Sequence, residues 1–88
     1  MDMQGLDIEQ VHDLARQFDH KADEIDEVLR QLHLGLRETE WSGPDRHRFE
    51  GDFDGTITPD LRTLERSLRD TAERLRLQAR SQEQASRW

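Results

Sequence analysis

The sequence contains no cysteine, so disulfides and thiolate metal sites cannot hold it together. Tyrosine is also absent, and aromatic residues of all kinds make up only 6% of the chain. Two prolines and five glycines leave few places where a helix is forced to stop. No apolar run approaches the roughly 20 residues needed to span a bilayer. The segment Met1-Asp2-Met3-Gln4-Gly5-Leu6-Asp7 has no basic region followed by an apolar one, so it does not read as a classical signal peptide. Apolar residues are scarce as well, at 32%. That cannot fill a broad globular core, but it can fill a narrow seam between helices.

Charge is what the chain has in excess. Charged residues make up 38% of its 88 residues, against about 25% in an ordinary globular domain. The length implies one domain. The net charge of −7 argues against nucleic acid and anionic membranes as main partners, because phosphate binding needs a basic face.

The first segment predicts one helix over about 7–39. Its apolar residues are Ile8, Val11, Ala15, Phe18, Ala22, Ile25, Leu29, Leu32 and Leu36, at alternating steps of three and four. This is an unbroken heptad, with Ile8 at a and Val11 at d. Leu14 and Val28 fall beside it at g and widen the apolar stripe. The break lies at residues 40–44. Gly43 permits a tight turn, and Pro44 suits the first position of a new helix. The second helix, predicted over about 45–80, carries Phe49, Phe53, Ile57, Leu61, Leu64, Leu68, Thr71 and Leu75. Its phase shifts around Gly55 to Pro59, where a kink is expected because Pro59 lacks an amide hydrogen. Thr58 capping a new helix is the alternative. Residues 81–88 read as a flexible polar tail.

Folding the chain back at the break tests this. Leu36 then faces Phe49, Leu32 faces Phe53, Leu29 faces Ile57, Ile25 faces Leu61 and Val11 faces Leu75. Each pair of residue numbers sums to about 86, as one antiparallel register requires. The charges agree: residues 7–27 carry a net −6 and residues 61–88 a net +3. The expected fold is therefore all-α, an antiparallel two-helix hairpin. A two-helix hairpin has one internal seam, so its remaining apolar flank calls for a partner. A second hairpin would complete a four-helix bundle.

Trp41-Ser42-Gly43 at the centre of two heptad helices resembles the WXG family of type VII secretion substrates, the early-secreted-antigen-like proteins. The stretch Trp41-Ser42-Gly43-Pro44-Asp45-Arg46-His47-Arg48-Phe49 is similar to the Trp-x-Gly-Pro-Asp-x-x-x-Phe form common in that family. The run Gln82-Glu83-Gln84-Ala85-Ser86 is similar too. The resemblance covers nearly the whole chain. It implies a dimer with itself or a paralogous partner, export without a cleaved signal peptide, and presentation to a membrane ATPase. Many family pairs carry a Tyr-x-x-x-Asp/Glu signal after the second helix. Here the nearest equivalent spacing is Ala79-x-x-x-Glu83, without the aromatic. A partner would then supply the signal. Trp88 is a possible apolar anchor in the tail.

No catalytic, cofactor or metal site is expected. Glu9-Gln10-Val11-His12 has the Glu-x-x-His spacing of di-iron bundles, but Glu9 and His12 fall at b and e, away from the core. His20 pairs by spacing with Glu24 at the surface, and His33 and His47 stand alone. Asp23-Glu24 and Asp26-Glu27 form a solvated acidic face. The expected function is a type VII secretion substrate or pairing partner. A targeting adaptor for a larger secreted toxin and a cytosolic coiled-coil scaffold are the alternatives.

Overall fold

A computed structural model describes residues 7–41 and 43–86. Helix α1 spans Ile8–Glu38, α2 spans Pro44–Asp52 and α3 spans Thr58–Ser86. A π-helical turn, Phe53–Ile57, joins α2 to α3, so the second arm runs without a break. The two arms form an antiparallel hairpin, a rod 67 Å long and 18 Å across, with α1 packed along α3.

Local chemistry sets the ends of α1. Asp7 caps it, its Oδ1 accepting from the Gln10 amide at 3.1 Å. Glu9 lies in the first turn and Arg37 in the last, as the helix dipole favours. Thr39 turns extended and donates to the Gly35 carbonyl from both its amide (3.1 Å) and its hydroxyl (2.7 Å). Gly43 then adopts φ +89°, a left-handed value that favours glycine. Pro44 follows at the start of α2.

The seam rests on small residues. Ala15, Ala22 and Leu29 of α1 are buried against an arm that buries Phe53, Ala72 and Ala79. Val11, Phe18 and Ile25 fill the intervening levels with Leu61, Leu68 and Leu75, each half-buried. Alanine at successive levels lets two helices approach closely.

The second arm departs from its predicted stripe in one respect. Leu61, Leu68 and Leu75 lie in the seam, but Leu64 is 48% exposed. Glu65, Ala72 and Ala79 take the levels expected of Leu64 and Thr71. The π-turn is the cause. The Thr58 amide donates to the Phe53 carbonyl, five residues back. One extra residue is absorbed there, and the inward face resumes at Thr58. The phase shift expected at Gly55 to Pro59 is thus present, and Thr58 does not begin a separate helix. In a regular α-turn, Pro59 would crowd the Gly55 carbonyl; the turn ahead of it is instead the wider π form.

The tail expectation also changes. α3 continues to Ser86 instead of ending near residue 80. Ala79 is fully buried, and Gln82 is half-buried. The heptad on α1 begins at Ile8, which gives this last stretch of α3 something to pack on. Ser42 and Trp88 lie outside the described residues.

A seam set by alanine has no room for a larger side chain. Ala72→Leu is expected to destabilise the hairpin by about 1–3 kcal/mol. Urea unfolding followed by circular dichroism measures this.

Candidate interaction surface

The two flanks of the seam differ in chemistry. In heptad terms Ala72 and Ala79 stand at a, and Leu68 and Leu75 at d. The e and b positions then form one side of the rod. From Glu9 to Arg37 and from Arg62 to Glu83, every e and b residue is ionisable. Where the two e rows meet, they interlock. Arg62 donates to Asp26 and, at 2.9 Å, to Glu65. Arg69 reaches Asp23 at 3.0 Å, Asp26 at 3.4 Å and Glu65 at 3.0 Å. Arg76 donates to Asp19. Glu65 sits at a seam position with only 13% of its side chain exposed, and two arginines satisfy it there. An exposed ion pair is worth about 0–1 kcal/mol; a connected ladder also fixes which levels of the two arms face each other.

The ladder perturbs its own titration. Arg62, donating to the carboxylate, holds Asp26 below the usual carboxylate range, against the opposing effect of desolvation. Arg69 is raised, first by Asp23 and then by Glu65. A carboxylate with a lowered folded-state pKa adds stability that is present above its unfolded value, about 4, and lost as pH falls through the folded value.

The opposite flank, the g and c positions, is poor in charge. Leu14 (41% exposed), Val28 (45%) and Leu64 (48%) stand on it in the open. Ile57 joins them at g. Toward the bend the flank deepens into an open apolar groove between α1 and α2. Leu32, Gly35, Leu36, Trp41, Phe49 and Phe53 line it. Of the exposed large apolar residues, all but Leu34 and Leu77 lie on this side. The predicted seam residues thus divide in two. Most close the hairpin, while Val28, Leu32, Phe49, Ile57 and Leu64 face outward.

The bend is held by aromatic contacts and one arginine. Trp41 lies 5.2 Å from Phe49, Phe49 lies 6.5 Å from Phe53, and His33 meets Phe53 edge-on at 4.9 Å. Trp41 thus lays its ring against α2 at the bend. Arg46 reaches back across the bend. Its guanidinium donates to the carbonyls of Thr39 and Trp41, both at 3.3 Å, and of Leu36 at 3.4 Å. It also pairs with Glu50 at 3.2 Å. The carbonyls at a helix end have no partner within the helix, and one side chain satisfies several here. Nothing in the apolar pattern marks Arg46. Its place three residues after Gly43, facing back toward the end of α1, is the signal that could have found it.

The remaining candidates are surface groups. His20 lies 3.4 Å from Glu24. Among the described residues, no three His, Asp or Glu side chains gather as metal ligands, and no helix is long and apolar enough to cross a membrane. Ala79 is a seam residue, so Ala79 and Glu83 do not form one exposed element.

Two tests follow from this geometry. Asp26→Asn is expected to lower the melting temperature at pH 7. Its difference from the unsubstituted chain should narrow as the pH falls below about 4; thermal unfolding at neutral and acid pH measures it. Arg46→Ala removes the guanidinium that donates to the Leu36, Thr39 and Trp41 carbonyls. It is expected to cost about 1–2 kcal/mol and to speed amide exchange at Thr39 and its neighbours, while exchange at the centre of α1 stays slow.

No family model, no curated protein and no solved structure matches this chain.

Proposed function

We propose that this chain is a pairing module of a type VII-like secretion system, acting through the g and c side of its hairpin. The observation that carries this reading is the asymmetry of the rod. One side is lined by ionisable residues, many of them paired with one another; the other holds most of the exposed large apolar residues, with a groove at the bend. Contiguous exposed apolar surface marks an interaction site. Depletion of charge is the compositional mark of an interface core, and it stands out in a chain that is 38% charged. The Trp-x-Gly bend between two long helices supports the secretion setting.

The tyrosine-free sequence favours one role within that setting. The Tyr-x-x-x-Asp/Glu signal of the family resemblance has no counterpart, and the nearest spacing begins at a buried alanine. The export signal is then carried by whatever the hairpin pairs with, and this chain is the pairing or targeting partner.

Culture supernatants from a host with and without a working type VII ATPase test the reading. The chain should appear outside the cell only with the ATPase. Val28→Glu combined with Leu64→Glu should cut its export at least tenfold without loss of helicity, because both positions are exposed in the hairpin. Equal export of the doubly substituted chain, or retention in the cell under both conditions, would sink the proposal.

A further inference from the structure

Two stripes run down the second arm, one residue apart. The first is Ile57, Leu61, Leu64, Leu68, Thr71 and Leu75. The second is Thr58, Leu61, Glu65, Leu68, Ala72 and Leu75. Both have heptad spacing, and they share three leucines. A plain α-helix running on from Phe53 puts the first stripe in the seam, because Ile57 lies four residues after Phe53. The π-turn adds one residue and puts the second there. We infer that the π-turn is a latch, held by Pro59, that seats α3 on the less apolar of two available faces and so keeps Ile57 and Leu64 presented. The inference concerns the hairpin by itself and holds whatever its partner is.

The seated face is not the one that burial alone selects. Ile57 is 38% exposed and Leu64 48%. In their place the seam takes Thr58, whose buried Oγ1 has no hydrogen-bond partner. It also takes Glu65, a carboxylate with 13% of its side chain exposed. A buried hydroxyl without a partner is unfavourable, and so is a carboxylate drawn into a seam. The other face would bury Ile57 at the level of Leu29, and Leu64 opposite the small side chain of Ala22. Large against small is how facing positions interdigitate.

Two features hold the seated face against that preference. The first is covalent. On a plain α-helix the ring of Pro59 meets the carbonyl of Gly55 and brings no amide to bond it. The π-turn directly ahead is wider, and within it the Thr58 amide donates to the Phe53 carbonyl. The second is the ladder. Arg62, Arg69 and Arg76 stand at e and reach Asp26, Asp23 and Asp19. With α3 on the other face the same arginines stand at b, one position farther from the seam. Exposed ion pairs are weak, so Pro59 is the stronger hold. Whatever covers the apolar flank binds the face that leaves Ile57 and Leu64 outside, and it stabilises the π-turn by doing so.

The chain has no native cysteine, so a single introduced thiol reports on each face. Ala72 is buried and Gln78 exposed; on the other face they exchange places. With Pro59 present, Ala72→Cys should react slowly with iodoacetamide and Gln78→Cys quickly. Adding Pro59→Ala should invert the pattern, with Ala72→Cys at least tenfold faster and Gln78→Cys at least tenfold slower. Deleting Gly55 from the Pro59→Ala chain takes out the extra residue without taking out a side chain. It should restore the first pattern. Circular dichroism shows whether each chain stays helical. Unchanged rates in the Pro59→Ala chain would overturn the latch. So would a rise at both positions, which marks a loosened seam, or failure of the deletion to restore the first pattern. All rates are read on the isolated chain, without export or a partner, so the latch and the pairing role stand or fall separately.

Discussion

Two helices laid side by side can bury one stripe of each and no more. In this hairpin that limit is reached early, because the stripe is built on Ala15, Ala22, Ala72 and Ala79. Alanine brings the helices close, and close helices leave little interior for leucine or phenylalanine. Leu14, Val28 and Leu64 are therefore outside by geometry. The one large aromatic that is fully inside, Phe53, sits at the π-turn, where His33 covers its edge. A chain with this seam must either leave an apolar flank wet or give it to a neighbour. The same constraint explains the ionic flank. With so little apolar burial, register has to be specified by something else, and the Asp19, Asp23 and Asp26 row meeting Arg62, Arg69 and Arg76 supplies it.

Glu65 shows how the two effects meet. A carboxylate at a seam position is unfavourable unless it is paired and hydrogen-bonded. Arg62 and Arg69 provide both. The net gain in stability from such an arrangement is small. Both arginines lie on the same helix as Glu65 and accompany it in any register. What the register decides is whether the same guanidinium groups also reach Asp23 and Asp26 of α1.

Much of this was legible in the residues, and the parts that were not have definite causes. The a/d steps from Ile8 to Leu36 located α1 to within a residue of each end, because nothing interrupts their phase. The antiparallel fold-back followed from residue numbers alone, and the His33 to Phe53 contact falls on the expected sum, whereas Ile57, expected opposite Leu29, faces outward. The second arm was misread at Leu64 and Thr71. Apolar periodicity asks which residues prefer to be buried, and there it favours Leu64 over Glu65. What decides the matter is the extra residue in the π-turn and the arginines that make Glu65 tolerable. A better signal was present. The ionisable residues from Arg62 to Glu83 recur at steps of four and three without exception, and so do those from Glu9 to Arg37. In a chain this polar, the row that is always charged locates the flanks more reliably than the row that is usually apolar. Arg46 was missed for a different reason: it satisfies carbonyls at the end of α1, which no side-chain pattern records.

The division of the rod into a charge-rich and a charge-poor side also bears on how stable the hairpin is by itself. Chains of this size are marginal because they bury a small fraction of their surface, and an alanine seam buries less than a leucine seam would. The ladder adds pairs that are each weak in water. The surface left on the g and c side is then not a surplus that happens to be available. It is the apolar area that the fold still lacks. Any partner that covers it removes water from Val28, Leu64 and the Trp41 to Phe53 groove, and it adds to the stability of the hairpin by the free energy of its own binding. Folding would be coupled to any such pairing. The glycine at 35, in the last turn of α1, is less favourable in a helix than alanine, and a methyl group there would meet nothing within 4 Å.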